Sequence, residues 1–251
     1  GFQRHIYVVG NEQDYHFKVL SLILQDLGYA WASKLYHLSY GMVELPHGKM
    51  KSREGTVVDA DDLMEKMQAT ARDNALSVGK IKEMPEGARD KVIGQIAHGA
   101  MKYFILKVDP KKNMLFNPEE SIDFNGDTGP FIQYTHARIR SVIRKAEEKG
   151  EALPEKLPQG IPINEKETAL IQEIYRFGEV IQEAEEQLSP AVLAGYAFQL
   201  AKLFNQFYQE YSITNAADAG LRQLRLALAC QVAQTLKNTL HLLGIEAPEK
   251  M

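Results

Sequence analysis

The chain of 251 residues lacks several things that whole classes of protein depend on. It has one cysteine, Cys230, which excludes an internal disulfide framework and any multi-cysteine zinc site. Cys230 lies in an apolar helical pattern, where a reduced, buried thiol and a cytoplasmic protein are the ordinary expectation. Long apolar runs are missing too: the longest are short and broken by charge, far from the roughly 20 residues of a membrane-spanning helix, so no membrane partner is expected. The first residues, Gly1-Phe2-Gln3-Arg4-His5, have neither a start methionine nor the basic-then-apolar layout of a secretion signal. The sequence is therefore expected to begin inside a longer gene product. No excess of positive charge is present, since 29 Lys and Arg against 33 Asp and Glu give a net charge of -4. That balance argues against indiscriminate polyanion binding and leaves room for local basic patches. Histidines 5, 37, 47, 98, 136 and 241 show no compact ligand spacing, and no structural metal is expected. Neither an internal repeat nor a low-complexity tract occurs.

What remains is the composition of a folding, globular chain: 45% apolar and 25% charged residues, with length enough for one large domain or two modest ones. Residues 6–9, Ile-Tyr-Val-Val, form a β-rich run ending at Gly10. A helix is predicted from about Asp14, with Phe17, Leu20, Leu24 and Leu27 as its stripe before Gly28. Strand then helix suggests the crossover of a parallel sheet, with a second extended segment over residues 35–43. Few strands follow, so the sheet looks truncated on its N-terminal side. Residues 41–58 read as a loop, and helices are predicted from about Asp61 and over residues 86–107. After the turn-rich residues 125–130 the pattern becomes almost wholly helical. Four helices are predicted, at about 132–149, 165–188, 190–212 and 218–243; the last three carry apolar stripes that must be buried against a neighbour, with Leu170, Ile174, Phe177, Ile181 and Leu188, then Leu193, Ala197, Leu200, Phe204 and Tyr211, then Leu221, Leu224, Leu228, Val232, Leu236, Leu240 and Leu243. Gly244 is placed as a C-terminal cap. The domain boundary is set near residue 130.

The sharpest chemical feature is the basic loop, where Lys49, Lys51 and Arg53 stand between Gly48 and Gly55. Such a loop can close over phosphate and stabilise developing charge, or it can be a solvated charged turn. It is not a P-loop, because Gly-x-x-x-x-Gly-Lys-Ser/Thr is absent. Gln13 and His16 follow the strand end, where open α/β sheets place ligands; His16 read by itself is equally a packing or capping residue. Arg138, Arg140, Arg144 and Lys145 share one predicted helix without an intervening acid. They suit RNA phosphate, with a solvated helix face as the plain alternative. Tyr134 and Tyr208 read by pattern alone as core residues, and Met251 as a chain end.

The loop residues carry a family resemblance. Gly41-Met42-Val43, then residues 49–58, Lys-Met-Lys-Ser-Arg-Glu-Gly-Thr-Val-Val, then Asp61-Asp62-Leu63, resemble the signature-loop region of class I arginyl-tRNA synthetases. Tyr7-Val8-Val9-Gly10 with Gln13 and His16-Phe17 is similar to the strand and turn at that family's adenylate site. Asp123-Phe124-x-Gly126-x-Thr128-Gly129-Pro130-Phe131-x-Gln133-Tyr134-x-His136-Ala137-Arg138-Ile139 resembles the start of its anticodon-binding domain, and Leu243-Gly244-Ile245-x-Ala247-Pro248-Glu249-x-Met251 its end. Lys49 stands at the first lysine of the general Lys-Met-Ser-Lys-Ser pattern, Lys51 at its serine and Ser52 at its second lysine.

The resemblance implies a fold class: an α/β fragment of a class I Rossmann-like catalytic domain over residues 1–130, then an all-α helical bundle, the anticodon-binding domain, over residues 131–251. It implies an arginine-tRNA ligase in the full-length protein, which consumes ATP, accompanied by Mg2+, and L-arginine to charge tRNA(Arg). Lys49, Lys51 and Ser52 are its implied catalytic residues, and Gly10, Gln13, His16, Lys49 and Met50 contact the nucleotide. Tyr134, Arg138, Arg140, Arg144, Lys145, Tyr208 and Met251 are its implied tRNA-binding residues. The family's His-Ile-Gly-His-type motif is not found, so the fragment is expected to be inactive alone. The full-length protein is expected to be monomeric, while exposed sheet edges would let the fragment self-associate. Another class I synthetase, or a non-catalytic helical protein-interaction module, are the competing readings.

Overall fold

A computed structural model describes residues 3–44, 59–77, 80–151, 153, 156–157 and 159–251. The N-terminal unit is a β-α-β crossover. Strand β1 (His5–Gly10) leads through a short turn into α1 (Asp14–Asp26), and β2 (Leu35–Tyr40) returns parallel to β1, in register from His5 opposite Leu35 to Gly10 opposite Tyr40. A second parallel pair joins β3 (Val43–Glu44) to β4 (Met114–Leu115). Gly41 connects β2 to β3 against the 110–113 segment. Its N–H donates to Pro110 O at 2.6 Å, and a Cβ there would lie 2.0 Å from Lys112 O, so only glycine passes. The predicted α1 stripe is not a buried one: α1 has no buried residue, and Leu20 and Leu27 are exposed.

Helices α2 (Ala60–Ser77), α3 (Glu86–Leu106) and α4 (Pro118–Ser121) enclose one apolar cluster that includes Met67, Ile93, Ile96, Phe116 and Ile122. The remaining helices are α5 (Gly129–Glu148), α6 (Glu165–Tyr175), α7 (Phe177–Gln187), α8 (Pro190–Glu210) and α9 (Ala219–Leu242). They surround a larger core with Ile139, Leu170, Leu200, Phe204 and Leu236 at its centre. An N-terminal β/α region followed by an all-α bundle is thus the architecture of the chain.

Helix ends follow local chemistry. Thr128 and Asp218 accept the N–H groups of Phe131 and Leu221, and Asn164 with Glu167 forms a reciprocal capping box on α6. Gly244, at φ 66°, ends α9: its N–H donates to His241 O at 2.9 Å and that of Ile245 to Leu240 O at 2.8 Å, a Schellman closure.

Two expectations need correction. The single helix predicted at 165–188 is two, broken at Arg176. Tyr196 of α8 donates its hydroxyl to Glu173 O at 2.8 Å, the carbonyl that a continuous helix would offer to residue 177, and Phe177 stacks on the same ring. A side chain entering the hydrogen-bond ladder kinks a helix. Past the break Val180 and Ala184 are buried, while Ile181, from the predicted stripe, is exposed. In α9 the first turns bury Arg225 and Leu226 rather than Leu221 and Leu224.

Candidate nucleic-acid interface

The face of α5 one turn apart at 134, 138, 141 and 145 opens onto a cleft of about 970 Å³. Its opposite wall is the end of α8 and residues 211–215; Met251 and the 83–84 turn complete it. Five basic side chains line it, Arg138, Arg144, Lys145, Lys149 and Lys250, against two acids, Glu83 and Glu210. Glu210 is already paired with Lys166. The cleft is therefore positive in a chain of net charge -4.

Within it, the Arg138 guanidinium lies 4.7 Å from the Tyr134 ring centre and 5.7 Å from that of Tyr208. Arg138 also donates to Asn205 Oδ1, and Asn205 Nδ2 donates to Thr135 Oγ1 at 2.8 Å, so the arginine is held from behind. Each tyrosine is braced by a phenylalanine: Phe124 meets Tyr134 edge to face at 6.3 Å, and Phe204 stacks under Tyr208 at 5.9 Å. Tyr208 keeps 37% of its surface open. Two rings and a guanidinium presented to solvent can stack on splayed bases, while the surrounding cations can neutralise phosphate.

Of the other residues singled out from sequence, Arg144 and Lys145 lie on the cleft wall, and Arg144 Nη1 also donates to Glu249 O at 3.1 Å. Arg140 points away from the cleft, its Nε 2.6 Å from Glu249 Oε2. Burial alone would raise the Glu249 carboxyl, but the hydrogen bond and charge of Arg140, with His136 and Lys237, outweigh it and hold the carboxyl below its usual range. Met251 folds back: it lines the cleft and packs against the cluster of α2, α3 and α4. Asn205, Lys149, Lys250 and the 211–215 wall escaped sequence reasoning. Only Asn205, a polar residue next to an apolar stripe, left a local signal.

At the β1 end, Gly10 closes the strand, and an added Cβ would sit 3.8 Å from the Tyr40 ring, an ordinary contact. Gln13 ends the turn before α1 and His16 stands in the first turn of α1, the two hydrogen-bonded to each other through Oε1 and Nδ1. A second cavity, of about 420 Å³, lies nearby between Tyr7, Phe17, Lys18 and His37; Gln13 and His16 are not on its wall. Lys49, Met50, Lys51 and Ser52 lie outside the described residues. Among the described residues no group of three or more His, Cys, Asp or Glu is arranged to hold a metal ion, and no helix is long and apolar enough to cross a membrane.

Comparison with known proteins bears on both ends of the molecule. Residues 1–117 match the family of class I (R) tRNA synthetase catalytic domains, and residues 132–251 match the DALR anticodon binding domain. An arginine–tRNA ligase of Bacteroides thetaiotaomicron is 54% identical over 98% of this chain, and one of Parabacteroides distasonis 56% over 98%. The chain is an arginyl-tRNA synthetase homologue of class I. It spans 41% of the length of each of these two ligases. The solved arginyl-tRNA synthetase of Thermus thermophilus superimposes with a TM-score of 0.83 at 33% identity, covering 99% of this chain and 41% of that one. The likeness to synthetases thus runs through both the β/α region and the bundle, and all of the cleft's lining except Glu83 and Met84 lies in the part matching the anticodon-binding family.

Proposed function

We propose that this chain is part of an arginine-tRNA ligase and that its cleft recognises the anticodon of tRNA(Arg). The observation that carries this is Arg138 set between the rings of Tyr134 and Tyr208 in an open, positive cleft. Unstacked anticodon bases would lie on Tyr134, Tyr208 and the apolar Met251, with Arg138 completing the stack. Arg144 and Lys145 would hold backbone phosphates, which gives salt-dependent affinity without base identity. Arg140 would act at one remove, by fixing Glu249 and with it the tail that ends in Met251.

In the intact protein, acting in the cytoplasm, the arginine carboxylate would attack the α-phosphorus of ATP, release pyrophosphate and then be transferred to tRNA with loss of AMP. That chemistry requires positioning and charge stabilisation more than a general base. On the family resemblance, Lys49 would meet the leaving pyrophosphate, with Lys51 and Ser52 beside it. Gly10, Gln13, His16 and Met50 would border the nucleotide, whose phosphates bring Mg2+ as part of the substrate. Residues 1–130 belong to this catalytic work and 131–251 to the anticodon.

The test is binding of this chain to an arginine-acceptor anticodon stem-loop and to the same stem with its anticodon exchanged. A preference of about tenfold or more is expected, since an exchanged base leaves polar edge groups unpaired in the cleft, at a cost of about 1–3 kcal/mol. Equal affinity for the two would sink the reading and favour a protein-binding scaffold. Pyrophosphate exchange by the isolated chain is expected not to exceed a matched blank.

A further inference from the structure

We infer that Arg225 and Glu167 are positioning residues that fix the 211–215 wall of the cleft at the separation from α5 that an unstacked base requires. The inference rests on reading the cleft as an RNA site. Residues 211–218, between α8 and α9, carry no regular hydrogen-bond ladder, so the five that line the cleft keep their place only through anchors. Ile213 supplies one, buried in the bundle core. Arg225 supplies another. Its Nη1 donates to Ser212 O at 2.8 Å, and its guanidinium stacks 5.1 Å from the Tyr211 ring. Its Nε donates to Glu167 Oε1 at 2.7 Å, while Glu167 Oε2 accepts the Asn164 N–H at 2.9 Å in the α6 capping box. The far end of the wall is tied at Asn215, whose N–H donates to Ser212 Oγ at 3.1 Å and whose Oδ1 accepts from Lys149 Nζ at 3.4 Å.

The pair is deeply buried, with side-chain exposures of 9% for Arg225 and 1% for Glu167. Well-packed apolar side chains at such a place are often as stabilising as the ions or more so, so burial of charge is poorly explained by stability alone. What an apolar residue could not do is bind a carboxylate, a carbonyl and a ring face at once. The rigid guanidinium fork does, and it thereby sets the Tyr211 ring and the Ser212 carbonyl relative to both α6 and α9.

The experiment uses Arg225→Met combined with Glu167→Gln, which removes both charges, keeps the volumes and leaves an amide oxygen to accept the Asn164 N–H. Amide hydrogen exchange is read on the RNA-free chain, and fluorescence anisotropy reads binding of a labelled arginine-acceptor anticodon stem-loop. Exchange at residues 212–215 is expected to quicken by about tenfold or more, with the α5 and α9 interiors unchanged. RNA affinity is expected to fall by about tenfold at an unchanged salt slope, because the phosphate-facing cations are untouched. Arg225→Lys keeps the charge beside Glu167 and loses the fork; it is expected to give smaller losses in both readouts, and it decides the matter if the double variant does not fold. A folded variant whose exchange at 212–215 stays at the parent rate overturns the inference. So does one whose exchange quickens while affinity stays within about twofold of the parent. A parent chain that does not discriminate anticodons sinks the cleft reading instead.

Discussion

At the scale of single residues, the cleft combines two kinds of contact that mutation can separate. Tyr208→Ala should remove a stacking surface and weaken anticodon stem-loop binding by roughly tenfold, about 1–3 kcal/mol, with the salt dependence kept. Lys145→Ala should weaken all stem-loops alike and lower the slope of log affinity against log salt by about one. Titrations of binding from low to moderate salt distinguish the two. His136 is a different case. Its Nδ1–H donates to Pro248 O at 2.9 Å, and burial is the chief cause that keeps the ring neutral, its pKa below the ordinary 6.5. The unfolded chain takes up a proton below that value and the native chain does not, so the contribution of this histidine is present above pH 6.5 and erodes as the pH falls through that range. Urea midpoints at neutral pH and near pH 5.5 should differ less in His136→Asn than in the parent. The Glu249 carboxyl, held low, adds its own loss only as the pH falls through the carboxylate range.

At the scale of elements, α3 and α5 approach closely at a pair of glycines. A Cβ on Gly129 would stand 2.3 Å from Gly99 O, and one on Gly99 would stand 2.5 Å from the Gln133 amide. Gly129→Ala must therefore push backbone against backbone and is expected to cost about 1–3 kcal/mol in urea unfolding. Gly195, in α8, has nothing within 4 Å of its virtual Cβ, so Gly195→Ala should be neutral or stabilising by up to about 1 kcal/mol. The opposite signs of two identical changes check the close crossing directly. Elements also show where a linear reading loses information. The stripe from Leu193 to Phe204 was legible because Leu193, Ala197, Leu200 and Phe204 recur at helical spacing and are buried in one apolar core. The break at Arg176 was not, because its cause is the hydroxyl of Tyr196, on another helix. Arg225 was hidden for the same reason, sitting among leucines and alanines in a stretch whose period is purely helical.

At the scale of the whole molecule, the last eight residues join the two apolar cores. Ile245 is buried in the bundle, Gln133 Nε2 donates to Glu246 O at 2.8 Å, Lys102 Nζ reaches Gly244 O, and Met251 packs with the α2–α3–α4 cluster. A chain ending at Gly244 loses a buried isoleucine, one of the two acceptors of Gln133 Nε2 and the Pro248 acceptor of His136, so its stability should fall by roughly 3 kcal/mol or more. Calorimetry should resolve two transitions where the parent shows one. The order of helices, the cap at Gly244 and the positive stretch of α5 could be read from the chain as written, because they depend on neighbours three or four positions away. Which of those cations open onto a cleft was settled by folding: Arg138 turns between two rings and Arg140, two positions on, turns to Glu249. A helix rotates each successive residue by about 100°, and only the helices and tail packed around it determine which direction is buried, which is braced and which remains open to a ligand.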